Sequence, residues 1–408
     1  TVDPLELVRA GAQSFGTAAY FENPEGEAIG GVGVAWHSVA AGPRRFIDLR
    51  RQFEARRRVA PAFVGFSFAA DGPTDSRWDG FPAATALWAR ITAVRSPRGS
   101  RLFVAVPTRR AGDQILGTVA ALESPPDPDR PVPAGRLGQS RPSPSEWRRG
   151  VAEAVGAIRA GTLQKVVLAR SVEVETDGRP DPFDLVYELR LGAPRSYVFA
   201  WKAGGAAFIG ASPELLVDRR GDRVRCQPLA GSAPRGESEG EDRRLAESLI
   251  ASSKDRAEHS LVVQDIGARL SPLTSRLEVP VAPSLQKLGT VQHLATEIEG
   301  TLLPGVTLLE LVDALHPTPA VGGLPRAQAA ALIDKIEGID RGWYAGGVGW
   351  ADGSGDGEIA VGLRCGLLRD GGAHLFAGAG IVDGSDPQAE LEETRLKLRP
   401  LLELLTGP

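Results

Sequence analysis

The chain has 408 residues, enough to bury a large core, and its formal net charge of -4 is spread over both signs with no basic stripe of the kind that binds nucleic acid. Hydrophobic residues make up 42% of it, yet no run approaches the ~20 apolar residues that span a bilayer, so an enzyme acting on small molecules is the class left standing. The opening Thr1-Val2-Asp3-Pro4-Leu5-Glu6 has no basic region followed by an apolar one, and no secretory signal is expected in it. The two cysteines, Cys226 and Cys365, lie in separate apolar segments without C-x-x-C spacing, as expected of a reduced cytoplasmic protein, and are too few for a Cys-built zinc site.

In chain order, the N-terminal third offers glycine-broken strands at Ile29 to Trp36 and Leu102 to Val106, and a basic helix-like stretch from Phe46 to Val59. Little recognisable chemistry sits there. A proline-rich seam, Ser124 to Pro133 with Pro142 and Pro144 beyond it, admits neither a helix nor a central strand. A strong helix start follows, with Ser143 as N-cap, Pro144 at the first position and Glu146 closing a capping box; Trp147, Val151, Val155 and Ile158 then share one face. Gly161 stops that helix. Further strands are predicted at Tyr197 to Trp201, Ala207 to Ile209, Leu215 to Asp218, Arg223 to Pro228, Tyr344 to Trp350, Ile359 to Leu368 and His374 to Ala379. Helices are predicted at Glu241 to Leu270, Leu308 to Leu315, Arg326 to Glu337 and Asp386 to Leu405. The mixed order and hairpin-like pairs predict an α+β fold with largely antiparallel sheets.

The most informative residue is Lys165, inside Leu163-Gln164-Lys165-Val166-Val167-Leu168-Ala169-Arg170, where both faces of the strand are apolar. An ammonium buried there without a partner tends to give up its proton and become a base; the alternative is a long stem snorkelling to the surface. Asp255 with Glu258, and Glu390 with Glu393, stand three apart on predicted helices, and two such faces brought together would make an oxygen-only Mg²⁺ site. Taken singly, each pair also reads as an ordinary solvated helix face. Glu214 sits in a bend after Gly210-Ala211-Ser212-Pro213, where a glutamate is usually solvated but can face a cleft. Ala377-Gly378-Ala379-Gly380-Ile381 could offer backbone N–H groups to an anion. Three lookalikes are set aside: Gly236 to Gly240 has no strand before it, Asp352 to Gly357 lacks the glutamate of a calcium loop, and the five histidines have no zinc spacing.

Taken in order, the Lys165 segment, Gly210-Ala211-Ser212-Pro213-Glu214, Pro228-Leu229-Ala230-Gly231-Ser232-Ala233, Lys254-Asp255-Arg256-Ala257-Glu258-His259, His293-Leu294-Ala295-Thr296, His316-Pro317-Thr318-Pro319-Ala320 and Ala377 to Ile381 resemble the chorismate-utilising enzymes, and within them the isochorismate synthases. The likeness covers roughly residues 143–406; residues 1–140 match only as the divergent N-terminal part that completes the fold. The resemblance implies one chorismate-utilising domain over residues 1–408, with two stacked antiparallel sheets edged by helices. It implies that Lys165 activates water for attack at the second ring carbon and that Glu214 protonates the hydroxyl leaving the fourth. Glu258 and Glu393 would hold Mg²⁺, supported by Asp255 and Glu390. Tyr344, Arg364, Lys397 and the N–H groups near Gly378 and Gly380 would hold the two substrate carboxylates, with Gly231, Ser232, His293 and Ala320 lining the same pocket. Relatives that use ammonia usually lack a lysine at the Lys165 position, and salicylate synthases tend to carry Thr where Ala320 stands. A cytoplasmic monomer acting on chorismate is therefore expected, with neither nucleic acid nor membrane as partner. Siderophore and menaquinone biosynthesis both begin with this reaction, and the resemblance does not choose between them.

Overall fold

The computed structural model describes residues 3–54, 60–106 and 135–407. Among them, eighteen strands share one hydrogen-bonded sheet and three more form a second, small one; every ladder is antiparallel. The large sheet has two arms. One includes Leu215–Arg220, Gly357–Val361, Gly347–Ala351, Ala62–Phe66 and Ala84–Ser96. The other runs through Ala18–Glu22, Tyr197–Ala203, Ala206–Ser212, Cys365–Arg369, Gly372–Ile381 and Lys165–Thr176. Ala28–Ala40 joins them by pairing with both Ala84–Ser96 and Ala18–Glu22.

The arms stack face to face. Phe63 of the first meets Trp201 of the second edge-on at 6.4 Å, and Val348, Ile359, Phe199, Phe208 and Phe376 share the core around them. These are the stacked antiparallel layers of the expected α+β fold. The strands of the N-terminal third are part of both: Ala18–Glu22 pairs with Tyr197–Ala203, and Ala62–Phe66 pairs with Gly347–Ala351.

Helices cover the outer faces. Pro4–Phe15, Pro182–Gly192 and Pro387–Thr406 bring Leu5, Val8, Phe183, Val186, Leu398 and Leu401 onto the second arm. Pro144–Arg159 and Arg326–Ile336 cover the Lys165 strand, whose Val166 and Leu168 pack against Trp147, Val151 and Ile333. Full burial of side chains of this size stabilises the fold by about 1.5–3 kcal/mol each. The capping box is formed as expected: Glu146 N donates to Ser143 Oγ at 3.3 Å and Ser143 N to Glu146 Oε2 at 2.9 Å.

Three expected elements differ. The single helix from Glu241 to Leu270 is two, Glu239–Ala251 and Ser253–Leu270, because Ser252 leaves the helical conformation and its Oγ accepts from Asp255 N at 3.2 Å to cap the second. The strand from Ile359 to Leu368 is broken between Val361 and Cys365, where Arg364 adopts φ +48°. The strand expected from Tyr344 begins only at Gly347, since Ala345 at φ +59° turns the chain. The helix expected to reach Val59 is Arg45–Glu54, with 55–59 outside the described residues, as is the Ser124 to Pro133 seam. No helix among the described residues is long and apolar enough to cross a membrane.

Candidate active site

The Lys165–Thr176 strand lies between two layers, as its sequence predicts. Val166 and Leu168 face the helices, while Val167 lines a cavity and Ala169 joins the inter-sheet core. Lys165 is 1% exposed, so it does not snorkel. Nor is it without a partner: its Nζ lies 2.9 Å from Glu258 Oε1 on the Ser253–Leu270 helix. That contact needs Gly380 on the neighbouring strand. A Cβ there would come within 2.1 Å of Glu258 Oε1 and 3.2 Å of Lys165 Cε.

Glu214 faces the same cavity from the bend between Ala206–Ser212 and Leu215–Arg220. The bend is pinned by Glu214 N donating to Ser212 Oγ at 3.3 Å and by Val361 N donating to Glu214 O at 3.0 Å. The residue is 3% exposed, against the usual fate of a turn glutamate. Burial pushes its carboxyl up to about 8, although the Lys165 charge, the Leu229 N–H and the Lys397 charge pull the other way. At neutral pH the Glu214 carboxyl is thus held in its protonated form.

Opposite these groups are the cations and donors suited to a dianion. Arg364, delivered by its left-handed backbone, has its guanidinium pulled down to about 10 by burial, and Nη2 donates to His293 Nε2 at 3.2 Å. That bond assigns the ring proton of His293 to Nδ1, which faces Ser232 Oγ at 3.0 Å and Gly231 O at 3.3 Å. Burial, then Arg364 and Lys397, hold this imidazole well below its ordinary range, so it is neutral. Tyr344 stacks on Phe376 with centroids 5.4 Å apart, and a Cβ on Gly378 would reach its Oη at 2.7 Å. Lys397 Nζ donates to Gly378 O at 3.0 Å and pairs with Glu393 at 2.5 Å. Ala320, Gly231, Ser232, Gly378 and Gly380 complete the predicted lining.

The four predicted carboxylates divide. Glu258 and Glu393 line the cavity; Asp255 and Glu390 do not. Asp255 lies against Gly231, where the backbone, at φ +76°, favours glycine and a Cβ would crowd Asp255 Cβ at 3.0 Å. Glu390 is buried and paired with Lys254 at 2.9 Å, its carboxyl raised by burial and then by the charge of Glu393. Glu393 itself is lowered: Lys397, Lys254 and the Ser232 hydroxyl together outweigh its burial. Among the described residues no three His, Cys, Asp or Glu side chains are gathered into a metal cage. Mg²⁺ does not require one, because it is commonly held by one or two carboxylates and completes its shell with water and substrate oxygens. Glu258 and Glu393, facing one cavity that Gly380 keeps open beside Glu258, fit that ion's chemistry.

Several site residues carried no assignment from sequence. Phe376, Val167, Val321 and Leu363 line the cavity, and Lys254 neutralises Glu390. Phe376 could have been found, because it precedes Gly378 and Gly380 at the period-two spacing of one strand face.

Comparison with known proteins agrees with this geometry. The model of a family described as chorismate binding enzymes matches residues 1–406. The chain belongs to that family. It is 37% identical to the salicylate biosynthesis isochorismate synthase of Pseudomonas aeruginosa, over 100% of this chain and 88% of that protein. It is 33% identical to the isochorismate synthase MenF of Bacillus subtilis, over 100% of this chain and 92% of that protein. Among solved structures it is similar to MenF, the menaquinone-specific isochorismate synthase of Escherichia coli, with a TM-score of 0.83, 27% identity, and coverage of 100% of this chain and 92% of that one. The family match takes in the N-terminal third, where no signature was legible.

Proposed function

We propose that this chain is an isochorismate synthase, converting chorismate reversibly to isochorismate. The observation that carries the reading is the company these groups keep: Glu214, kept protonated at neutral pH by burial, lines the cavity, and the buried Lys165 stands behind its wall with Nζ 2.9 Å from the lining residue Glu258. In the forward direction Lys165 takes a proton from water as its oxygen bonds to the second ring carbon. The ring double bonds shift, and the C–O bond at the fourth carbon breaks as Glu214 protonates the departing hydroxyl, so that one water enters and one leaves. In the reverse direction the two residues exchange roles.

Arg364, Tyr344 and Lys397 are the groups we assign to the substrate carboxylates, since a dianion entering a partly apolar cavity needs fixed cations and donors. Neutral His293, held by Ser232 and Gly231, keeps the Arg364 guanidinium in place. Glu258 and Glu393 are the residues we assign to Mg²⁺, which when bound would neutralise a ring carboxylate that the surrounding glutamates otherwise repel. The base role requires a neutral amine, and a divalent cation held by Glu258 would weaken the pairing with Lys165 that favours the charged form.

Ala320 leaves no hydroxyl at the wall where salicylate synthases tend to carry one, and release at isochorismate is the reading we adopt. Chromatography of chorismate incubations, with and without excess EDTA, tests the proposal. A mixture of chorismate and isochorismate that forms only with the free divalent cation is expected; unchanged turnover in EDTA would overturn the metal assignment, and no conversion under any condition the activity itself.

A further inference from the structure

The Lys165 strand has a gap in its pairing. Along one edge it is paired continuously with Gly372–Ile381. Along the other, Gly323–Leu324 pairs only with Val166 and Lys165, and Gly135–Arg141 takes over only from Ser171. Between them Val167 N finds Gly322 O at 2.7 Å, but Val167 C=O and Ala169 N–H, both buried, have no strand to meet. A buried backbone group left without a partner is costly, so both must be satisfied by something other than a strand.

Two side chains fill the gap. Glu337 Oε1 accepts from Ala169 N at 2.7 Å, and Arg341 Nη2 donates to Val167 O at 2.7 Å. The two pair with each other, Arg341 Nε donating to Glu337 Oε2 at 2.8 Å and Nη2 to Oε1. The remaining arm of the guanidinium, Nη1, donates to Val321 O at 2.8 Å, beside Ala320 in the cavity wall. The guanidinium also lies over Phe68 at 4.3 Å, and Tyr344 N donates to Arg341 O at 2.9 Å. Both side chains are almost wholly buried, at 3% and 2% exposure.

We propose that Glu337 and Arg341 are positioning residues, a buried ion pair that stands in for a missing strand and fixes Lys165 relative to the Ala320–Val321 wall and Tyr344. Neither touches the cavity; they act through the backbone of the residues that line it. The geometry suits the task, because a planar guanidinium can serve a carboxylate and two carbonyls at once and a lysine ammonium, a compact point charge, cannot do so with the same directions. The proposal rests on the reading of Lys165 as the base, and its test separates the two.

Arg341→Lys keeps the charge facing Glu337, so it should preserve the fold where Arg341→Ala does not. Turnover should not recover with the fold. Expected for Arg341→Lys is a ~10- to 100-fold loss of kcat per chorismate-binding site, counted by calorimetric titration, with KM within about threefold of wild type. Hydrogen exchange at the Ala169 amide should be faster than in wild type, and this readout does not depend on turnover. If wild type fails to convert chorismate, the functional reading falls while exchange at Ala169 still judges the clamp. A folded Arg341→Lys protein with wild-type kcat, or Ala169 exchange no faster than wild type, would overturn the proposal. So would failure of Arg341→Lys to fold, since the pair would then be a folding determinant only.

Discussion

Replacing Glu214 by Gln removes a titratable group from a buried site while keeping its shape, and the consequence can be read without substrate. The carboxyl is raised by burial from its ordinary 4.5 to about 8 in the folded protein. A raised carboxyl stabilises the fold fully below its unfolded value, and that contribution is lost as pH rises through the folded value. At ~1.36 kcal/mol per pH unit, displacement from 4.5 to about 8 corresponds to ~5 kcal/mol of wild-type stability lost between pH 4.5 and 9. An unfolding entropy of ~2.1 cal/mol/K per residue over the 408 residues makes that ~6 °C in Tm. Glu214→Gln has no such term. Thermal unfolding of both proteins at intervals from pH 5 to 9 should therefore show the difference in Tm moving steadily in favour of Glu214→Gln as pH rises from 5 towards about 8 and levelling off above it. Parallel curves across that range would refute the burial argument, and with it the proton-donor role assigned to Glu214. The same variant should lose turnover by ~10² to 10⁴, as expected on removing a general acid.

Lys165→Ala should abolish turnover, by ~10² to 10⁴ in kcat, while chorismate still binds, measured by calorimetry alongside the activity assay. Near wild-type turnover would remove Lys165 from the mechanism. Gly380→Ala places a methyl within 2.1 Å of Glu258 Oε1, so the carboxylate assigned to the cation must leave its place; turnover that needs more Mg²⁺ than the wild type for half-maximal rate is expected, with the circular dichroism spectrum unchanged, and an unchanged Mg²⁺ requirement would remove Glu258 from the metal assignment. Product analysis at neutral pH should show isochorismate with at most traces of salicylate and pyruvate, if the Thr that salicylate synthases tend to carry at the Ala320 position is what directs pyruvate loss; stoichiometric pyruvate would reverse that assignment while leaving Lys165 and Glu214 in place.

What was legible in the sequence was local pattern. The apolar residues on both faces around Lys165 announce a strand between two layers, and Ser143 with Glu146 announces a helix start. The spacing of Phe376, Gly378 and Gly380 likewise puts three cavity residues on one strand face. The burial of Glu214 was not legible, because it is created by the Leu229 and Val361 segments folding over a bend that looks solvated by itself. Arg364 sits in an apolar run that reads as one long strand, and only tertiary contacts impose the φ of +48° that turns it toward His293. Glu337 and Arg341 drew no attention in the sequence for the same reason: the backbone groups they serve, on Val167 and Ala169, lie more than 150 positions away. The lysines that neutralise Glu258, Glu390 and Glu393 were visible as residues but not as partners, since two of the three pairs join elements far apart in the chain.

Isotope labelling tests the central claim most directly. Turnover of chorismate in H₂¹⁸O should yield isochorismate carrying one ¹⁸O at the hydroxyl of the second ring carbon, detected by mass spectrometry, because water activated by Lys165 supplies that oxygen. Isochorismate formed without the label would mean that the hydroxyl migrates within the substrate and would contradict the assignment of Lys165 as the base that activates water.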